Sequence, residues 1–92
     1  MNRKELIRLV AEKSEYDFRD VDEIVRAFEE SITETVAGGE VVLLTGFAKF
    51  ARVERPERQA RNPSTGATIT VGPSKKVKIT PLKAFKDTVL NG

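Results

Sequence analysis

Ala51-Arg52-Val53-Glu54-Arg55-Pro56-Glu57-Arg58-Gln59-Ala60-Arg61-Asn62-Pro63-Ser64-Thr65-Gly66-Ala67-Thr68-Ile69-Thr70-Val71-Gly72-Pro73-Ser74 is the stretch that decides how this chain folds. Its centre, Asn62 to Gly66, reads as a tight turn. Proline presets φ, asparagine and serine bond to nearby backbone, and glycine takes the left-handed conformation. Ala67 to Val71 is strand-like by its β-branched content. Gly72-Pro73 is expected to break or bulge the returning strand, which resumes over Lys75 to Ile79. On the outgoing side, Ala51 to Arg61 is polar and basic, with Val53 its only sizeable apolar side chain. The stretch is therefore a long hairpin with too little apolar surface to pack on a core. A two-stranded ribbon alone is marginal in water, so this one needs a companion outside its own subunit.

Upstream, Glu40-Val41-Val42-Leu43-Leu44-Thr45 is a β-rich run stopped by Gly46, and Phe47 and Phe50 follow three apart. Two amphipathic helices precede it. Asn2, with Glu5 three residues on, makes a capping-box-like start. Leu6, Ile7, Val10 and Ala11 recur at helical spacing, and the helix ends near Ser14. Asp17 is placed to cap the second helix, whose apolar stripe is Val21, Ile24, Val25, Phe28, Ile32 and Val36. Gly38-Gly39 ends it. Downstream, Thr80 and Pro81 read as N-cap and first residue of a last helix with Leu82, Phe85, Val89 and Leu90 on its apolar side. The fold class is α+β in one domain, 1–92. Residues 1–39 form a helical dimerisation part, an αα-hairpin. Residues 40–80 form a three-stranded antiparallel sheet extended into a β-hairpin arm, and 81–92 a short C-terminal helix.

A chain of 92 residues buries only about two-thirds of its unfolded surface. Disulfides, metals or a partner subunit usually make up that deficit. Cysteine and histidine are both absent, which removes disulfides, the commonest zinc ligands and the commonest general base. No metal, cofactor or small-molecule substrate is expected, and no enzyme. A second copy is the remaining route, with Phe28, Ile32, Val36, Leu44, Phe47, Phe50, Ile79 and Phe85 assigned to the shared dimer core. No apolar run approaches the ~20 residues of a membrane span. The N-terminus enters an amphipathic stretch rather than a signal-peptide core. The expectation is a soluble intracellular protein with no membrane partner.

Charge is divided unevenly. Residues 1–46 carry six Lys/Arg against eleven Asp/Glu, a net of −5, and residues 47–92 carry ten against three, a net of +7. A basic half on an otherwise acidic chain signals a polyanion-binding surface. Arg52, Arg55, Arg58 and Arg61 recur every three residues along the outgoing strand. On a flat strand they would alternate faces, whereas a twisted ribbon following a groove can bring successive arginines to phosphates on either side. The guanidinium fork suits phosphate oxygens. Lys75, Lys76 and Lys78 near the arm's base add positive potential, and Arg3, Lys83 and Lys86 are candidate phosphate contacts on the body. Asn62 and Pro63 stand at the tip. Pro63 has two readings on the residues alone, ordinary turn chemistry and a wedge between base pairs.

Gly46-Phe47-Ala48-Lys49-Phe50, followed by Arg55, Arg58 and Arg61-Asn62-Pro63-Ser64-Thr65-Gly66, resembles the bacterial HU/IHF family of histone-like DNA-binding proteins, and the similarity runs over essentially the whole chain. The resemblance implies an intertwined dimer with a helical base and a saddle-shaped sheet. It implies two arms embracing the minor groove of double-stranded DNA, with Pro63 the intercalating wedge. A cytoplasmic, nucleoid-associated homodimer follows, with a paralogue heterodimer also open. Four departures stand out. Ala48 replaces a usual glycine, Ala67-Thr68-Ile69-Thr70 lacks lysines that many relatives carry, Lys76-Val77-Lys78-Ile79 replaces a stretch that usually reads Val-Pro-Ala-Phe-like, and Leu82 sits where glycine is common.

The implied function is non-sequence-specific architectural binding and bending of duplex DNA that organises the nucleoid. Two alternatives are a sequence-preferring bender like integration host factors and, in another class, a protein–protein scaffold whose arm adds to a partner's sheet edge.

Overall fold

Asn2 begins the first helix by the chemistry its side chain offers: Oδ1 accepts the Glu5 N–H at 2.9 Å, and α1 (Arg3–Ser14) follows. The computed structural model describes residues Met1–Gly92, which form two compact units, Met1–Glu34 and Thr35–Gly92. In the first, a three-residue connection, Glu15 to Asp17, leads into α2 (Phe18–Ala37). Asp17 precedes α2 as expected, and its backbone carbonyl accepts the Val21 N–H at 3.0 Å. Arg3 forms an ion pair with Glu29. Glu29 is the twelfth residue of α2 and α1 is 12 residues long, so equal helical rises bring the pair level across an antiparallel hairpin. Ile7 and Val21 are the buried residues of this unit.

The end of α2 belongs to the second unit and is closed by a Schellman motif. Gly39 lies at φ +95°, its N–H donates to the Val36 carbonyl at 3.0 Å, and the Glu40 N–H donates to Thr35 at 3.2 Å. Because Glu40 is still occupied in ending the helix, the β-rich run pairs over only three residues, β1 (Val42–Leu44). A turn with Gly46 at φ +81° and Phe47 N–H donating to Leu44 at 2.8 Å reverses the chain. β2 (Ala48–Arg55) then runs between β1 and β5 (Ser74–Pro81) in an antiparallel sheet of order β1-β2-β5. From Ala51 outward β1 is gone and only β2 and β5 remain paired.

The arm continues as β3 (Arg58–Arg61) and β4 (Thr68–Val71). Arg55 faces Ser74 before the gap and Arg58 faces Val71 beyond it. Two residues on each strand therefore separate the ladders, and Pro56 stands opposite Pro73. The gap expected at Gly72-Pro73 is thus a break shared by both strands without an inserted residue, since neither proline has an N–H for the ladder. From Ala51 to Asn62 the ribbon is roughly 35–40 Å long at strand rise.

The C-terminal boundary corrects the sequence expectation. Thr80 and Pro81 do not open the last helix: they are strand residues paired with Lys49 and Ala48. Leu82 is the N-cap, its N–H donating to the Phe47 carbonyl at 2.9 Å, and α3 spans Lys83–Asn91. Sheet pairing wins over the Thr-Pro start signal because Pro81 lies on an edge strand, where a missing N–H costs no interior bond. Phe85 of α3 meets Phe47 edge to face, ring centroids 5.1 Å apart.

Only Ala48 is buried in this second unit, while Phe47, Val77, Ile79, Phe85, Val89 and Leu90 are exposed. No helix is long and apolar enough to cross a membrane.

Glu15 ends α1 at φ +64°, a left-handed conformation that costs an L-residue about 1 kcal/mol or more. Glu15→Gly is expected to raise the thermal midpoint by a few degrees, about 1 kcal/mol less the entropy glycine adds to the unfolded chain. A lower midpoint in calorimetry would contradict the strain.

Candidate nucleic-acid interface

Antiparallel pairing places directly opposed residues on the same face, and successive residues on opposite faces. Applied to the register of β2 and β5, this rule sorts the base of the arm completely. One face carries Lys49, Ala51, Val53 and Arg55 with Ser74, Lys76, Lys78 and Thr80. Its four charges are all positive. The other carries Ala48, Phe50, Arg52 and Glu54 with Lys75, Val77, Ile79 and Pro81, and Val42 and Leu44 of β1 join it. One face is cationic, the other largely apolar.

The predicted cations divide accordingly. Arg55, Lys76 and Lys78 come together on the cationic face. Lys49, absent from the cations expected to bind, completes the set; the signal was the two-residue step back from Arg55 through Val53 and Ala51. Arg52 and Lys75 lie on the apolar side. Arg52 is engaged within its own chain: Nη1 donates to the Ala37 carbonyl at 2.8 Å and Nη2 to Glu54 Oε1 at 2.8 Å, leaving its side chain 26% exposed. Ala37 is the last residue of α2, where the helix leaves carbonyls unpaired and a partial negative charge. Arg52 thus fastens the root of the arm to the helix end. Lys75 faces Glu54 across the strands. Ala48, the departure from glycine, turns its methyl to the apolar side and is 7% exposed, so it does not obstruct the cationic face.

At the tip, Asn62 braces Pro63 three ways. Its N–H donates to Ala67 at 2.8 Å, its carbonyl accepts from Gly66 at 2.7 Å, and its Oδ1 accepts from Ser64 at 2.9 Å. Gly66 sits at φ +74°, and Thr65 Oγ1 accepts from Ala67 at 3.3 Å. Pro63 is left exposed at the apex of a turn held by its own hydrogen bonds. Arg58 and Arg61 fall on opposite faces of β3. Lys83 and Lys86 are exposed on α3. Arg3, in the N-terminal unit, is paired with Glu29. None of the eight residues assigned to a shared core is buried within the chain: Phe28, Phe47, Ile79 and Phe85 are exposed, and Ile32, Val36, Leu44 and Phe50 are half-buried.

A sheet with one cationic face, prolonged into a ribbon with a braced proline at its apex, defines a small α+β protein shaped to lie along a polyanionic chain. Residues 1–90 match the family model described as bacterial DNA-binding protein. DNA-binding protein HU of Geobacillus stearothermophilus is 43% identical over 89 residues, 97% of this chain and 99% of that one. DNA-binding protein HU-beta 2 of Neisseria meningitidis serogroup A is 39% identical over 89 residues, 97% of this chain and 98% of its own. Among solved structures, the Anabaena HU–DNA cocrystal structure superposes with a TM-score of 0.79 at 33% identity, covering 100% of both chains. The chain belongs to the bacterial DNA-binding protein family and is an HU-like member of it.

The face assignment separates two kinds of cation by salt dependence. Lys49→Ala is expected to lower the slope of log K against log salt by about 0.9 for each phosphate left without its cation. Arg52→Ala is expected to leave that slope unchanged while costing about 1 kcal/mol of stability, because the carbonyl end of α2 then has no cation beside it. Duplex titrations at several salt concentrations, paired with thermal unfolding, check both. An equal drop in slope for the two variants would contradict the assignment.

Proposed function

We propose that this protein is an architectural one that binds and bends double-stranded DNA through the minor groove without sequence specificity. The observation that carries this reading is the continuity of the cationic face of β2 and β5 with an arm that ends in the braced Pro63. Family membership supports it, and the family is one of structural DNA-binding proteins, not of enzymes.

Binding has two energetic parts. Lys49, Arg55, Lys76 and Lys78 on the sheet, with Arg58 and Arg61 farther out, neutralise phosphates and release counterions, which gives affinity that is indifferent to sequence and falls steeply with salt. Lys83, Lys86 and Arg3 add body contacts. Arg3 trades its ion pair with Glu29 for a phosphate at little cost, because both partners are about half exposed and exposed pairs contribute little. Insertion of Pro63 between base pairs costs a few kcal/mol of unstacking, offset by the longer contact that a bent duplex makes with the arm. The turn around Asn62 fixes Pro63 before DNA arrives, so little ordering entropy is lost on insertion.

The active form is a homodimer acting as one domain per chain, 1–92. Ile24 at 62% exposure, Val77 at 70% and Ile79 at 62% are apolar side chains left in water by the lone chain. Large exposed apolar side chains, on the helical unit and on the sheet unit alike, suit an interface, and a second copy supplies the core that 92 residues lack. The apolar side of the sheet then turns to the partner and the cationic side to DNA. The protein works in the cytoplasm on the nucleoid.

Pro63→Ala is expected to retain most of the affinity and lose bending, read as a longer distance between fluorophores at the two DNA ends; unchanged bending would remove the wedge. In sedimentation at micromolar concentration the protein is expected to run as a dimer, and a stable folded monomer would overturn the assembly.

A further inference from the structure

The apolar side of the ribbon changes character at one level. Beyond the Val42–Phe50 pair the sheet loses β1, and the next residues on that side of β2 are Arg52 and Glu54, with Lys75 directly across from Glu54. These charges stand on the opposite side from Lys49, Arg55, Lys76 and Lys78, so the phosphate contacts proposed for that face do not account for them. Arg52 turns instead to the end of α2. Its Nη1 donates to the Ala37 carbonyl and its Nη2 to Glu54 Oε1, each at 2.8 Å. Nη2 also lies 3.6 Å from where a Cβ on Gly39 would stand. The guanidinium therefore lies against the turn that ends α2, with one prong on the helix and one on the strand. A planar fork held at both prongs has a fixed direction, whereas a fork held at one can swivel.

We propose that the Arg52–Glu54 fork is a positioning device. It stands in for the missing third strand and fixes the direction in which the arm leaves the three-stranded part of the sheet, and through that direction the angle to which DNA is bent. This rests on the DNA-bending reading above and deepens it. The pair is poorly suited to a role in stability, since the Glu54 side chain is 61% exposed and exposed ion pairs contribute little. Direction is another matter, because the arm is a lever. The nine residues from Glu54 to Pro63 span about 30 Å at roughly 3.3 Å each. A swing of about 6° at the root then carries Pro63 through one base step of about 3.4 Å. A ribbon of two strands twists more strongly than a wider sheet, and beyond Phe50 no third strand opposes the swing. The fork acts at the last residues of that side before the ladder breaks at Pro56 and Pro73, so the play that remains is confined to the break. Insertion of Pro63 then selects one bend rather than a range of them.

Time-resolved fluorescence transfer across a duplex labelled at both ends, with the full-length protein at saturation, reads the mean bend and its spread. Three variants separate direction from stability. Arg52→Lys keeps a cation beside the end of α2 but has no fork, Glu54→Ala leaves the fork one acceptor, and Arg52→Ala removes both contacts. All three are expected to shift the end-to-end distance to longer values and to lose the single narrow population of the wild type. Thermal midpoints are expected to stay near wild type for Arg52→Lys and Glu54→Ala and to fall only for Arg52→Ala. A distance distribution that follows the midpoint, wild-type-like for Arg52→Lys and Glu54→Ala, overturns the proposal, as does a wild-type distribution in all three. A salt slope lowered by Arg52→Ala places Arg52 on a phosphate and overturns it too. In each of these outcomes the wild-type protein still bends DNA. A wild-type protein that binds duplex without bending it would instead overturn the bending reading, and this proposal with it.

Discussion

Ala48 to Arg55 and Ser74 to Pro81 pair at eight successive positions without a slip, and an unbroken antiparallel register allows each side chain only one of two faces. A one-residue shift would exchange the faces wholesale, sending Lys76 and Lys78 to the apolar side and Val77 and Ile79 to the cationic one. The separation of a cationic face from a largely apolar one depends on that register. It is pinned at the base, where Leu82 N–H meets the Phe47 carbonyl and Phe85 meets the Phe47 ring. At the far end Asn62 closes the turn on Gly66 and Ala67.

With the faces fixed, the same residue type does different work at different positions. Arg55 and Arg52 are three apart in sequence and on opposite sides of the ribbon. Arg52 is directed to the carbonyl end of α2 and to Glu54, and holds the arm's root; Arg55 is left on the cationic side. Pro56 and Pro73 interrupt the ladder on both strands at one level, so the tip beyond them is a separate two-stranded element. Pro63 is held by the hydrogen bonds of its turn rather than by packing. The arm is thus a sequence of locally stabilised pieces, in keeping with a ribbon whose lasting contacts come from a ligand.

Much of this is legible in the sequence because it is written locally. Asn2 with Glu5, the Gly38-Gly39 stop and the Asn62–Gly66 turn each depend on residues within a few positions, and each forms in the expected place. What escapes is non-local. Three-residue spacing groups Arg52 with the other arginines, but its partner Ala37 lies fifteen positions away. Lys49 is hidden because its neighbours Phe47, Ala48 and Phe50 read as core, and only pairing with Thr80 places it beside Lys78. Thr80-Pro81 carries a genuine helix-start signal that a paired edge strand overrides.

The proposed division of the sheet into a DNA face and a partner face is most directly tested by following both faces in one experiment. In an NMR titration of the protein with a duplex of about 20 base pairs, the side-chain resonances of Lys49, Lys76 and Lys78 are expected to shift with DNA. The methyls of Val77 and Ile79, which the proposed dimer covers with its second subunit, are expected to stay in place. Movement of the Val77 and Ile79 methyls with the three lysines unperturbed would contradict the account.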